Sequence, residues 1–413
     1  MTSFEPLTLG YDWELFLLEA TGEPVLESRI DEVASRLRRA RPDCPCGLDF
    51  RGLELRSGPS RSFEELRDKT ETLLALTAKE ATRRKYHFVL SAGNPTFFNV
   101  HGAHLHVGEI YSATFGVKLR TALMPYLPAL IALSAASPVS DGQVGEFKSY
   151  RVAHRAHGCN VPNPVGDPRT AELGWGEDAC IKVWCHPTLE LRFFDAPIHP
   201  ATYLETAVLA AGLVAGMAKR LRRKRSAPKL AIADQEAYLL NRALAAKHGL
   251  QATFRRGDDE ISAVTVVEEV LEIAADGMAA FGLPADDLVW IPKLLAARVT
   301  QADFLLEMAE RTPDPWALLT DLTRLAPDGE PFERWLEAGP TREARPLESF
   351  GDLLLRGVDG FSRIRDLNRW ANLPPFWLER EIEALEDAGR IETIEDPERG
   401  VRFRRLPAER SER

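Results

Sequence analysis

Four i,i+2 polar pairs set inside apolar alternation constrain this chain more than any other feature. Asp12/Glu14, Glu54/Arg56, His104/His106 and Glu190/Arg192 are bracketed by Tyr11/Trp13/Leu15, Leu53/Leu55, Ala103/Leu105/Val107 and Leu189/Leu191/Phe193. A period of two places each pair on one face of a β-strand and its apolar neighbours on the other. One such pair marks a solvated outer face. Four of them, three with carboxylates and one with two imidazoles, depart from the Lys, Thr and Ser expected of a merely wet face. Oxygen ligands with an occasional His suit Mg²⁺ or Mn²⁺, whereas zinc sites favour Cys and His. Arg56 and Arg192 beside the acids are suited to neutralising phosphate oxygens. A polar sheet face of this kind fits phosphoryl chemistry on a nucleotide.

Around these strands the pattern is mixed. Residues 1–20 alternate as one strand, and 49–56, 87–91, 102–109 and 181–194 read as further strands. Helices are expected at 31–39, at 62–85 behind a Ser62/Glu65 capping box, at 117–137 with a Pro-marked break, at 200–225, and almost throughout 234–340. Residues 142–168, rich in Gly, Pro, Asn and His, read as a long functional loop. A second unit begins near residue 346. Helices at 352–356, 362–370 and 374–388 precede two short strands around the turn 396–400, the order of a winged helix-turn-helix.

Composition narrows the function classes. A net charge of −10 over 413 residues supplies no global field for nucleic acid or anionic membrane. Five Cys without a regular framework suit a reducing cytoplasm, and the first residues have neither a basic nor an apolar signal region. The apolar runs 123–136 and 203–218 fall short of the ~20 residues of a membrane span. Cys44/Cys46 and Cys180/Cys185 do not have the spacing of a structural zinc site. His154, His157 and His186 are expected in ordinary packing or surface roles, and Lys219–Arg225 in a solvated helix end. Residues 345–413 hold 13 Arg and no Lys against 15 Asp and Glu, which opposes DNA binding by the winged-helix-like unit. Docking to a protein partner, to the catalytic domain itself or within a homo-oligomer suits it better. No P-loop, protein-kinase or GxSxG motif occurs.

Several runs together resemble the second glutamate–cysteine ligase family, the carboxylate–amine ligases. The opening strand Leu7-Thr-Leu-Gly-Tyr-Asp-Trp-Glu-Leu15 has the family's Gly before two acids spaced i,i+2. Gly102-Ala-His-Leu-His-Val-Gly108 looks like its GxHxHVG strand, and Thr188-Leu-Glu-Leu-Arg-Phe-Phe-Asp195 its T-[LV]-E-[VL]-R-x-x-D strand. Ala132–Pro138 with Gly142, Ser149 and Arg151 is similar to its substrate loop, and 241–250 to a later helical segment. The order is the family's over about residues 7–310.

The resemblance implies an α+β chain: a curved antiparallel, glutamine-synthetase-like sheet flanked by helices (residues 1–340), with a winged-helix-like accessory domain (346–413). It implies ATP with Mg²⁺ or Mn²⁺, and ADP-forming amide synthesis through an acyl phosphate. Asp12, His104 and Glu190 would hold one metal; Glu14, Glu54 and Asp49 would hold the other. His106 and Arg192 would contact phosphate oxygens. Arg151 would bind the substrate carboxylate or acyl phosphate, with Ser149 supporting its loop. Asp12 stands where the family has Glu, and Asp49 lies closer to Glu54 than the family spacing, leaving its reach to the metal open. Between His87 and His101 the chain is shorter than the family, without its Gly-Thr-His-Pro run, in a region expected to shape the substrate pocket. The alternatives are true glutamate–cysteine ligation and a non-catalytic ligase-like regulator acting through its C-terminal unit.

Overall fold

The alternation in the first residues becomes β1 (Leu9–Leu18), the strand on which the sheet is built. The computed structural model describes residues 7–49, 51–97, 99–154, 178–182, 187–223, 232–325, 329–340, 349–357, 373, 375–396 and 400–406. β1 is flanked by β3 (Gly52–Arg56) and β5 (Ala103–Val107) in a seven-stranded sheet. The strand order is β2 (Gly47–Asp49), β3, β1, β5, β9 (Thr188–Leu191), β8 (Ala179–Lys182). β4 (His87–Val89) pairs with the end of β1, and every pairing is antiparallel.

The apolar alternates form the core. Leu9, Tyr11, Trp13, Leu15 and Leu17 are each at most 1% exposed, and Leu53, Leu55, Leu105, Leu189 and Leu191 are fully buried. At about 1.5–3 kcal/mol for each large side chain, this face fixes the register, because a one-residue slip would turn all of it outward. Two helices tie onto it. Tyr11 Oη donates to Thr70 Oγ1 (3.0 Å) on α2 (Phe63–Arg84). Tyr203 Oη on α6 (Pro200–Arg223) donates to the Ala103 carbonyl at 3.3 Å. Rings of Tyr11, Trp13 and Tyr203 pack at 5.5–6.1 Å. α6 in turn lies against α8 (Ala263–Ala280). A Cβ on Gly216 would stand 2.2 Å from the Ile273 carbonyl oxygen, so only Gly permits this approach. Residues 200–222 are long and apolar enough to cross a membrane, more than the run 203–218 suggested, but 89% of the apolar window is buried in the protein. Helix α6 is thereby explained as a core helix.

Where structure and sequence reading differ, turns are the reason. The expected strand at 49–56 is two strands, closed by the Asp49–Gly52 pair with Arg51 at φ +62°. Within the stretch read as helical lies the hairpin Thr253–Arg256/Asp259–Ser262, turned at Gly257 (φ +63°) and Asp258. A second hairpin, Val139–Ser140/Gln143–Val144, turns at Asp141 and Gly142, both with positive φ. That is the Asp-Gly signature of a primed turn. The loop expected at 142–168 contains the short helix α5 (Tyr150–His154); its remainder beyond 154, with His157, lies outside the described residues. Ser62 Oγ caps α2 by accepting from Glu65 N (3.2 Å), while the Glu65 carboxylate turns to Arg61 N instead of closing the box. Cys44, Cys46 and Cys180 are buried; Cys185 and His186 lie outside the described residues.

The chain divides into two compact units, 1–344 and 345–413. In the second, helices Phe350–Gly357 and Pro375–Asp387 accompany an antiparallel hairpin, Ile391–Asp396 with Gly400–Arg405. Its core includes Leu353, Leu354, Leu378, Ile382, Leu385, Ile391 and Phe403. The helix expected at 362–370 lies outside the described residues.

Candidate active site on the polar face of the sheet

Register brings the four polar pairs together. Glu14 stands opposite Glu54, Asp12 opposite both Arg56 and His104, and His106 opposite Glu190. Directly opposed residues share a face, so all belong to one surface, joined by Asp49 opposite Gly52 and Lys182 opposite Thr188.

Glu14, Asp49 and Glu54 form the acid centre of this surface. One carboxylate oxygen from each lies within 4.8 Å of the others. Glu14 and Glu54 are buried. Burial pushes the Glu14 carboxyl up to about 7, with Asp49 adding to it and Arg151 opposing it. Burial and the charge of Asp12 also raise Glu54 to about 7, against Arg56. Glu14 Oε2 accepts from Gly102 N at 2.9 Å, and Glu54 pairs with Arg56. An all-oxygen set of converging carboxylates fits a hard divalent cation such as Mg²⁺, whose charge would offset this crowding.

The remaining expected ligands are engaged differently. Asp12 Oδ2 meets His106 Nε2 at 3.1 Å, and His106 Nδ1 meets Thr188 Oγ1 at 3.3 Å. Burial would raise Asp12, but the His106 hydrogen bond and the charges of Arg56 and Lys182 hold it below the ordinary range. Glu190 is held between Lys182 Nζ (2.9 Å) and Arg192 Nη1 (2.8 Å). His106, Arg192 and Lys182 outweigh its burial and lower its pKa. His104 is buried, and burial with the Arg151 and Arg192 charges keeps its ring neutral. Arg151 Nη2 donates to His104 Nε2 at 2.8 Å, so the ring proton is on Nδ1, 3.5 Å from Glu190 Oε1. Ligation of a metal through Nε2 would displace that guanidinium.

Arg151 owes its place to a close backbone approach. A Cβ on Gly102 would stand 2.4 Å from Arg151 Nη2, so only Gly at 102 admits the guanidinium. Arg151 is 7% exposed, and its Nη1 has no hydrogen-bond partner among the described residues. The start of α5 that carries it is anchored by Asp195. One carboxylate oxygen of Asp195 accepts from Ala136 N (2.8 Å) and Ser137 Oγ (2.9 Å), the other from Ser149 Oγ (3.0 Å). Ser149 is therefore a loop anchor, and Ser137 Oγ in turn accepts from Arg151 N at 3.2 Å.

Three contributors escaped sequence reasoning. Asp195 stood in the sequence as the last residue of the T-[LV]-E-[VL]-R-x-x-D run, but without a role. Lys182 had the alternation Cys180/Lys182, which places it beside Glu190. Asp178 had none: it accepts from Arg242 Nε at 2.7 Å and Nη2 at 3.1 Å, and its carbonyl accepts from Arg192 N. That buried pair fastens Ile232–His248 to the sheet edge behind Arg192.

Two cavities of about 800 Å³ flank the acid centre. One is lined by Gly10, Asp12, Arg56, His106, Lys182 and Thr188, the other by Phe16, Glu23, Glu27, Asp49, Arg51 and Phe97.

The chain is similar to known proteins in sequence and in fold. The model of "Glutamate-cysteine ligase family 2(GCS2)" matches residues 79–156. A Streptomyces avermitilis protein named "Putative glutamate--cysteine ligase 2-1" is 31% identical over 205 residues, 44% of this chain and 54% of its own. A Rhodospirillum rubrum "Putative glutamate--cysteine ligase 2" is 29% identical over 214 residues, 45% of this chain and 52% of its own. The chain spans about half the length of the curated relatives it matches. In fold it is similar to a glutamate–cysteine ligase from Francisella tularensis solved in complex with AMP. That likeness has a TM-score of 0.54 at 11% identity and covers 93% of this chain and 94% of the other. A bifunctional glutathione synthetase from Pasteurella multocida has a TM-score of 0.50 at 15% identity, covering 84% of this chain and 55% of that one. The architecture is thus the mixed helix-and-sheet, antiparallel architecture of these ligases, and over residues 79–156 the chain resembles glutamate–cysteine ligase family 2.

Proposed function

We propose that the protein is an ATP-dependent carboxylate–amine ligase that forms an amide bond, γ-glutamyl bonds included, through an acyl phosphate and releases ADP. The observation that carries this reading is the acid centre Glu14/Asp49/Glu54, set between two cavities with Arg151, Arg192 and Lys182 at hand. Joining a carboxylate to an amine in water is uphill, so the carboxylate oxygen first takes the γ-phosphoryl group of ATP and ADP leaves. The amine nitrogen then attacks the acyl carbon, the C–O bond to phosphate breaks, and the amine gives up a proton.

Mg²⁺ or Mn²⁺ on the carboxylates would screen the phosphate charges. Glu14, Asp49 and Glu54 would hold one cation, and Glu190 with Asp12 and His104 a second. Arg192 and His106 face the phosphate side, and Lys182 adds a cation there. Arg151 offers Nη1, unpaired among the described residues, to the acceptor carboxylate or acyl phosphate. The curved glutamine-synthetase-like form of the sheet and a cytoplasmic setting belong to this reading.

The names of the curated relatives favour one second reading, glutamate–cysteine ligation itself. The C-terminal unit is read as a winged-helix-like accessory domain that meets protein and not DNA. Helix Pro375–Asp387 carries four Glu and one Asp with a single Arg. Incubation with ATP, Mg²⁺ and panels of carboxylates and amines tests the mechanism: ADP with phosphate is expected, and AMP with pyrophosphate would overturn it.

A further inference from the structure

Along the polar face of β1 the residues run Gly10, Asp12, Glu14, Phe16. The first two line one cavity, Glu14 belongs to the acid centre, and Phe16 lines the other cavity. Asp49 belongs both to the acid centre and to the Phe16 cavity, so this cavity opens directly onto the site of chemistry. Resting on the ligase reading, we infer that the Phe16 cavity is the amine site and selects a cationic amine with an apolar, aromatic-sized body over a zwitterion such as cysteine.

Charge is the first argument. Beyond Asp49, which the cation would take, the cavity presents two carboxylates, Glu23 and Glu27, against one guanidinium, Arg51. Arg51 already faces Glu27 at 3.8 Å and is 76% exposed. A lone ammonium therefore meets a net anionic wall, whereas the carboxylate of an amino acid meets repulsion with one shared, solvated cation to offset it. The buried guanidinium Arg151, with a nitrogen unpaired among the described residues, is packed instead on Gly102 and is not among the residues lining this cavity, which separates acid from amine recognition.

Shape is the second argument. Phe16 and Phe97 meet edge to face, with centroids 5.8 Å apart and planes at 88°. His101 stacks on Phe16 at 3.8 Å, and a Cβ on Gly52 would stand 2.6 Å from the His101 ring, so glycine there keeps the stack in place. Pro24 and Leu48 continue the apolar lining. A fixed aromatic wall beside carboxylates binds a body of similar size and favours a cation near the ring faces. Phe97 and Asn99 of this wall come from the segment that is shorter than in the family.

Calorimetric titration of the full chain with 2-phenylethylamine, n-butylamine and L-cysteine tests the assignment. 2-Phenylethylamine is expected to bind at least 10-fold more tightly than cysteine and more tightly than n-butylamine. The double variant Glu23→Gln/Glu27→Gln, altered only at exposed positions, should weaken it about 10-fold while leaving ATP·Mg²⁺ titration unchanged. Phe97→Ala should remove the preference over n-butylamine. Tighter binding of cysteine, or unaltered 2-phenylethylamine affinity in the double variant, overturns the inference. Failure of the ligase reading has a different signature: amine binding as expected, with no ADP formed from any acid–amine pair.

Discussion

Asp195 and the Glu14/Glu54 pair are both buried carboxylates raised by burial, Asp195 to about 6 and the glutamates to about 7, yet their surroundings are opposite. Asp195 is surrounded by donors: one backbone N–H and two hydroxyls, with the charge of Arg151 nearby. Glu14 and Glu54 face each other and Asp49, with one backbone N–H for the first and Arg56 for the second. A satisfied buried carboxylate holds the fold together. Buried carboxylates that crowd one another cost stability unless a cation joins them, and that cost is a mark of function.

The contrast breaks most sharply under substitution. Glu14→Gln retains an oxygen for Gly102 N and removes like-charge repulsion. Turnover is expected to fall at least about 10³-fold, a loss of some 4 kcal/mol of transition-state stabilisation, with the melting temperature level or higher. An active Glu14→Gln enzyme would remove the acid centre from the mechanism. Asp195→Ala should do the reverse to stability. Stranding Ser137, Ser149 and Ala136 N is expected to cost about 3 kcal/mol in urea denaturation. A neutral result would mean that the loop is not held by this carboxylate.

Cation addition sharpens the same comparison. Mg²⁺ at about 100 times its dissociation constant should stabilise the protein by about 2.7 kcal/mol, read as a rise in melting temperature. Asp49→Asn should abolish most of that rise, whereas Ser149→Ala should leave its size unchanged on a lower baseline. Equal rises in wild type and Asp49→Asn would show that the cation binds elsewhere.

How much of this was legible in the sequence follows from the range of each signal. The polar pairs were readable because period two is local, and once the strands are adjacent their shared face follows without further information. Which partner each side chain takes was not, since it depends on register between distant strands. Asp12 meets His106 across 94 positions, and Arg151 reaches His104 across 47. Asp49 looked doubtful from its spacing to Glu54. The turn through Arg51 places β2 back along β3, so that Asp49 lies beside Glu54 in space although five residues away in sequence. The hairpins at Asp141-Gly142 and Gly257-Asp258 were readable from turn chemistry, but the Gly, Pro, Asn and His content beyond the first pointed to a loop and the pattern around the second to helix.

His248 is the cationic mirror of the acid centre and gives the smallest effect near neutral pH. It lies beside Lys247 and Lys148, and Lys148 is paired with Asp303 at 2.6 Å. Here the like-charge crowding is relieved by loss of a proton: burial first, then the two lysines, lower His248 to about 4. An unfolded chain binds a proton at this residue near pH 6.5 and the folded one only near 4, so stability is retained above 6.5 and falls as pH drops through that window. The loss is expected to be under about 1 kcal/mol at pH 6 and to approach, as an upper bound, about 3 kcal/mol at pH 4. His248→Gln should flatten this acid limb in urea midpoints measured from pH 7 to 4.5. If the two limbs stay parallel, burial and the lysines do not hold His248 neutral, and the symmetry between the acidic and basic clusters fails.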